Sequence, residues 1–383
     1  MNQLFKMKTD LLKKYRTWIE IDSRAAKWNY DIFRKLIGKK TKLWAVVKSN
    51  AYGHGLLAFG GLMEKIGVDG FCVDSVVEGS ALRKAGIKKP ILVLGSTLPG
   101  RYAEAAKNDI TITISSFESL DSFARAKQRP DFHLKIDTGM HRQGFFIEDV
   151  PKIIKLFKAK KIVVSHCKGI YTHFASAKDI NYPAYTDLQF EKLQKAKALF
   201  TAAGFSNLVV HASATGGTLI NPKYHADAVR VGIGLYGLWP SKELEVQLGD
   251  KIELKPVLSW RAVVTEVKQL AAGDYVGYDL AERVPHAMTM GILPVGYWHG
   301  LPRALSLTGE ALVGGARARI LGRVSMDMAA IALQGAEKAG VIATLIGRDG
   351  RDEILAWEPA QKAGTTHYEF LTRLNPLMER IVV

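Results

Sequence analysis

Eight short apolar runs, separated by stretches of helical periodicity, leave few folds open to this chain of 383 residues. The runs fall near Leu43–Val47, Gly70–Val73, Ile91–Leu94, Asp109–Ile114, Phe132–Ile136, Gly169–Thr172, Leu208–Val210 and Val229–Gly234. Each has the length of a strand. The intervening pieces, for example Glu118–Ala126 and Phe190–Ala203, carry apolar residues at helical spacing. Strand–helix alternation repeated eight times predicts an α/β protein with an N-terminal (β/α)8 TIM-type barrel. The alternative is an open doubly wound sheet, which would carry a G-x-G-x-x-G fingerprint after its first strand; no such run stands there. After about Gly249 the pattern becomes alternating and turn-punctuated, at Leu258–Glu266, Met288–Leu293, Ala316–Leu321 and Val341–Ile346. This predicts a C-terminal mostly-β domain. The expected division is an N-terminal extension over 1–17, the barrel over 18–249 and the β domain over 250–383.

Composition narrows the class. Apolar residues make up 48% and charged residues 23%, as in a soluble globular protein. No stretch of about 18 unbroken apolar residues indicates a transmembrane helix, and the first ten residues lack the apolar core of a signal peptide. Two cysteines, Cys72 and Cys167, argue against a disulfide framework or a structural zinc site. A cytoplasmic protein without membrane or metal partners is expected. The net charge of +16 raises the question of nucleic acid. The lysines are dispersed, however, with acids between them, and no nucleic-acid module is present.

The titratable residues gather where a barrel places chemistry. Lys48, Asp137, His173 and His211 stand at or just past predicted strand ends, and Lys135 lies near the end of its strand. Arg230 comes early in its own segment. In a barrel the C-terminal strand ends ring one mouth, where active sites form. Lys48 lies in Leu43-Trp-Ala-Val-Val-Lys-Ser-Asn-Ala-Tyr-Gly-His-Gly55. A lysine at a buried strand's end is either a side chain snorkelling to solvent or a placed amine, able to form a Schiff base with an aldehyde cofactor.

That run resembles the pyridoxal-phosphate (PLP) lysine motif of alanine racemases, and the resemblance extends from about Trp18 to near the C-terminus. It implies a PLP-dependent enzyme interconverting L- and D-alanine, the latter a cell-wall precursor. It implies a homodimer whose active site is shared between subunits. Arg230, in Val229-Arg-Val-Gly-Ile-Gly-Leu-Tyr-Gly237, matches the arginine that bonds the pyridine nitrogen of PLP. Arginine does not yield its proton to so weak a base, so the ring stays unprotonated and is a weaker electron sink. The backbone of Gly232 and Ile233 and the hydroxyls of Tyr52, Thr215 and Tyr368 match the phosphate site, where glycines permit close approach. His173 matches a histidine stacked on the ring.

Racemisation needs a base on one face of Cα and an acid on the other. Lys48 and Tyr278, in Gly273-Asp-Tyr-Val-Gly-Tyr-Asp279, match that pair, with Tyr278 reaching the other subunit's cofactor. Arg142, in His133-Leu-Lys-Ile-Asp-Thr-Gly-Met-His-Arg-Gln-Gly144, matches the arginine that steers the substrate carboxylate. Met326 and Tyr297 match positions at the substrate, and Arg323 one lining the entrance. Lys135 matches a lysine often carbamylated in the family; a plain buried lysine is the other reading. Departures fall at the entrance: Trp298 and His299 replace a small residue and an acid, Lys178 stands where an acid is common, and His141 replaces a glycine or asparagine. A racemase of broader or different specificity, such as for serine, and a non-catalytic PLP-binding barrel protein remain the alternatives.

Overall fold

The computed structural model describes residues 14–159 and 161–383. Residues 1–13 of the expected N-terminal extension lie outside the described residues. The chain forms two compact units. One takes the chain up to Ser23, then Tyr52–Ala58 and Pro256–Val383; the other takes Arg24–Ala51 and Phe59–Lys255.

The first described strand, β1 (Thr17–Ile21), departs from the expected division. Its five residues, TWIEI, run antiparallel to Leu258–Val263 and parallel to Glu379–Val382. Trp18, Ile19 and Ile21 are fully buried there. The barrel read as starting at residue 18 therefore starts later. The cause is a pairing partner more than 230 residues away, which local pattern does not reveal.

The barrel itself is as expected. Among the described residues it comprises β2 (Lys42–Val46), β3 (Gly70–Val73), β4 (Ile91–Ser96), β5 (Ile110–Ile114), β6 (Phe132–Lys135), β7 (Cys167–Tyr171), β8 (Val209–His211) and β9 (Ala228–Val231), closed in that order. All pairings are parallel, and β9 closes on β2 with Trp44 opposite Arg230. Helices such as Val76–Lys84, Phe117–Arg125 and Ala184–Ala202 connect successive strands. Strands β6 and β9 are buried at every position, because helices cover one face and the barrel interior the other.

In the other unit, Leu258–Val263 and Ala329–Leu333 alternate buried and half-buried residues, the period-two signature of a strand with one face on the core. They belong to one sheet with Glu266–Leu270, Met288–Leu293, Glu310–Val313, Ala316–Leu321, Ile342–Asp349, β1 and Glu379–Val382. Among the described residues, no helix is long and apolar enough to cross a membrane.

Candidate active site

Lys48 follows β2, and its side chain is half-buried. The chain then makes a turn that L-residues avoid. Ser49, Asn50, Ala51 and Tyr52 have φ of 55°, 55°, 52° and 52°, a left-handed helical turn built without glycine. At roughly 1–2 kcal/mol per residue, four in succession carry strain that the surroundings must offset.

Arg230 is nearly inaccessible, at 2% exposure. Its Nη2 donates to the carbonyls of Thr172 and Ala212, both at 2.8 Å, and lies 3.4 Å from His173 Nδ1. Its Nη1 lies 2.5 Å from His211 Nδ1. A guanidinium only donates, so His211 Nδ1 accepts and its proton sits on Nε2. That Nε2–H in turn donates to His133 Nδ1 at 2.8 Å. Burial pushes His211 well below its ordinary value, helped by the Arg230 charge; the same causes take His133 down to about 3. Both rings are therefore neutral at pH 7. The Tyr171 ring stacks on His211 at 4.6 Å, and the Arg230 guanidinium lies 5.1 Å from the Tyr171 ring centre. Among the described residues, the barrel thus holds a cation in its interior without a carboxylate partner, on carbonyls, a neutral imidazole and an aromatic ring.

Around this core stand three residues expected from sequence. His173 is driven to about 3 by burial, then by the charges of Arg230, Arg142, Lys135 and Lys48. Lys135 is lowered to about 8 by burial and by Arg142 and Arg230, against a smaller opposing pull from Asp137. Its amine donates to Gln143 Oε1 at 3.0 Å, and Gln143 Nε2 donates to Ser115 and Ser96. Asp137 shapes the loop that carries Arg142. Its Oδ1 accepts from the N–H groups of Gly139, Met140 and His141, and its Oδ2 from that of Arg142, all at 3.0 Å. Burial opposes the Asp137 charge, but those four bonds outweigh it and hold the carboxyl below its usual range. The barrel unit therefore brings Lys48, Lys135, Arg142, His173 and Arg230 within electrostatic reach of one another.

The last strand supplies a donor-rich loop. Thr215 Oγ1 accepts from Gly232 N–H at 3.2 Å and Gly234 N–H at 3.3 Å, with Ile233 buried between them. Gly234 is required by crowding, since a Cβ there would lie 2.3 Å from Phe33 Cζ and 2.7 Å from Thr215 Cγ2. Converging N–H groups beside a hydroxyl suit an anion such as phosphate.

The other unit holds the remaining expected residues, in two groups. The rings of Tyr52 and Tyr368 lie 6.2 Å apart, and burial, with Tyr52 beside it, raises the Tyr368 phenol. Tyr278, Tyr297 and Met326 stand on loops that are stitched together. Tyr297 N–H donates to the Ser325 carbonyl (3.0 Å), Trp298 N–H to that of Met326 (2.9 Å), and Arg323 pairs with Asp279 (2.8 Å). All three side chains are exposed, Tyr278 at 68%. His299 differs from expectation: it is buried, and its Nδ1 accepts the Gly296 N–H at 3.2 Å. It supports its own turn, which leaves Trp298, Lys178 and His141 as the exposed departures.

Sequence reasoning missed three residues. Glu78 accepts N–H groups of the turn after Lys48. Gln143 is the partner of Lys135. His133 extends the chain from Arg230, and its signal was available: it precedes Lys135 by two positions on β6 and so shares its face.

Fold and site together define a barrel enzyme with a lysine amine and a buried arginine at its core. The family described as "Alanine racemase, N-terminal domain" matches residues 21–240, and "Alanine racemase, C-terminal domain" matches residues 257–382. The chain is 36% identical over 381 residues to the alanine racemase of Leptospira interrogans, covering 96% of each. It is 36% identical over 369 residues to that of Listeria innocua, covering 95% of this chain and 97% of the relative. The crystal structure of the Bacillus anthracis alanine racemase with bound L-Ala-P superposes with a TM-score of 0.90 at 32% identity, covering 96% of this chain and 95% of that one. The chain belongs to the alanine racemase family. It is an amino-acid racemase, an isomerase.

Proposed function

We propose that the protein interconverts L- and D-alanine with PLP, using Lys48 and Tyr278 as two opposed bases. The observation that carries this reading is the buried Arg230 held by a neutral His211. The donor set fits the cofactor: an amine at Lys48, a cation at Arg230 that will not release its proton to a pyridine nitrogen, and a Thr215 hydroxyl on which two N–H groups converge. When bound, PLP supplies an aldehyde for amines and a ring that takes up the electron pair left at Cα on deprotonation. Gly232, Ile233, Tyr52, Thr215 and Tyr368 are assigned to its phosphate, and His173, a neutral imidazole, to its ring face.

Lys48 Nζ carries a proton to or from one face of Cα, and Tyr278 Oη does so on the other. The exposure of Tyr278 supports a role toward a second copy of the chain, hence a homodimer with shared sites. Arg142, on the loop clipped by Asp137, is assigned to the substrate carboxylate; Met326 and Tyr297 are assigned to the substrate by the same resemblance. Lys135 is proposed as a carbamylation site. The bound L-Ala-P of the Bacillus anthracis relative supports alanine as substrate. A cytoplasmic location, without nucleic-acid or membrane partners, fits this assignment. Trp298, exposed at 56%, motivates a second reading in which larger amino acids such as serine are also accepted.

Proton NMR of the protein with PLP and L-alanine in D2O, followed by chiral analysis, tests the proposal. Loss of the Cα–H signal together with D-alanine is the expected result. Exchange with serine, alone or at a rate comparable to that with alanine, would select the second reading, and no exchange with any amino acid would leave a PLP carrier without racemase activity.

A further inference from the structure

A left-handed turn that follows a strand leaves its first N–H groups without acceptors behind them. Ala51 N–H reaches the Val47 carbonyl at 2.9 Å, so the groups in question are those of Ser49 and Asn50. Both converge on one atom: Glu78 Oε1 accepts from Ser49 N–H at 2.7 Å and from Asn50 N–H at 3.4 Å. The other carboxylate oxygen accepts Asp74 N–H at 2.8 Å.

Glu78 is the third residue of the helix Val76–Lys84, whose cap, Ser75, accepts the Glu78 N–H at 3.4 Å. In an ordinary capping box the third-position carboxylate turns back on the cap's own N–H. Here it is divided. One oxygen stays beside its helix at Asp74, and the other leaves for a turn 29 residues earlier. The route is short because β3 pairs directly with β2, Cys72 opposite Val46, so the exits of these two strands are neighbours at the barrel mouth. Helix capping does not account for a bond to the residue that follows Lys48.

The Ser49 N–H belongs to the peptide that leaves Lys48. Fixing that peptide plane fixes ψ of Lys48 and with it the direction of the Cα–Cβ bond. An ionised acceptor makes the short, strong bonds that a strained segment needs. We propose that Glu78 is the positioning residue of Lys48: its carboxylate clamps the left-handed turn and thereby aims the lysine amine. The role for the cofactor rests on the assignment of Lys48 as the amine that links to PLP.

The test uses Glu78→Ala, Glu78→Gln and, as a control that loosens the same helix without removing the carboxylate, Ser75→Ala. Three readouts apply: amide hydrogen exchange over residues 48–52 in the cofactor-free protein, the pH profile of Lys48 acylation in competitive labelling, and the dissociation constant for PLP. In Glu78→Ala, exchange at Ser49 and Asn50 is expected to rise about tenfold or more, the Lys48 profile to move, and PLP binding to weaken about tenfold. Glu78→Gln, which keeps one acceptor oxygen, is expected to fall between and decides the matter if the alanine variant does not fold. Ser75→Ala is expected to loosen 76–84 while leaving residues 48–52 and Lys48 unchanged. Identical behaviour of Glu78→Ala and Ser75→Ala, with residues 48–52 still protected, would overturn the proposal. A wild-type protein that takes up no PLP, yet loses protection over 48–52 only when Glu78 is changed, would remove the cofactor assignment and leave the clamp on Lys48 standing.

Discussion

Arg230 Nη1 and His211 Nδ1 lie 2.5 Å apart, and the one-way character of that bond orients the protons on His211 and His133. Both rings are neutral in the folded barrel because burial and the Arg230 charge oppose a further cation. In the unfolded chain they titrate near 6.5. Below that value, down to about 3 for His133, the unfolded state binds protons that the folded state does not. Stability is therefore complete above about pH 6.5 and falls as the pH drops toward 3, at up to about 1.4 kcal/mol per pH unit for each ring. Urea midpoints measured from pH 7 down to pH 4 are expected to show this slope. In His133→Gln the slope is expected to be shallower, and an unchanged slope would place the acid sensitivity elsewhere.

Lys135 gives a second expectation. With its amine lowered to about 8, a useful fraction is unprotonated at neutral pH, and that form attacks carbon dioxide. Protein equilibrated with 13C-labelled bicarbonate is expected to show one bound carbamate resonance that vanishes in Lys135→Arg. Gln143 competes for the same amine through its Oε1, so Gln143→Leu is expected to strengthen the signal. Absence of the resonance in both wild type and Gln143→Leu would leave Lys135 as an unmodified amine.

For Tyr278, removal of the phenol separates the two faces of the reaction. In Tyr278→Phe, proton removal from L-alanine is expected to fall by about 10²- to 10⁴-fold, with removal from D-alanine much less affected. Deuterium exchange in each half-reaction, with D2O as solvent, measures both. Equal losses from the two enantiomers would reject the assignment of faces.

Asp137 acts through the loop it clips. Asp137→Ala frees four N–H groups, including that of Arg142, and lets the loop spread. If Arg142 receives the substrate carboxylate, KM for alanine is expected to rise about tenfold while kcat changes less, the pattern of lost ground-state binding. Steady-state kinetics decide this, with circular dichroism to verify the fold. A fall in kcat at constant KM would assign the loop to the chemical step instead.

Much of the barrel was legible in the chain because each strand is a short, mostly buried apolar run, a signal that is wholly local. Lys48 and Arg230 were legible for a related reason, since charges in such runs stand out. Other features depend on partners that only the folded chain supplies. The bond from Glu78 to Ser49 joins residues 29 apart, and Glu78 reads locally as an ordinary helix-cap residue. His299 reads as a departure at the entrance, in place of an acid, but its ring is turned inward, where Nδ1 accepts the Gly296 N–H. The five residues of β1 carry a clear strand pattern, yet nothing in them names Leu258–Val263 and Glu379–Val382 as neighbours.

That last pairing bears on how the molecule is made. A ribosome releases β1 early, but its parallel neighbour, Glu379–Val382, follows about 360 positions later. Every residue of the barrel strands is already available before either partner of β1 exists. The apolar side chains of Trp18, Ile19 and Ile21 must therefore wait through most of translation without their final cover. A chain lacking residues 379–383 would keep every barrel strand and still deny β1 one of its two edges, so β1 cannot settle until a strand made far later in synthesis arrives.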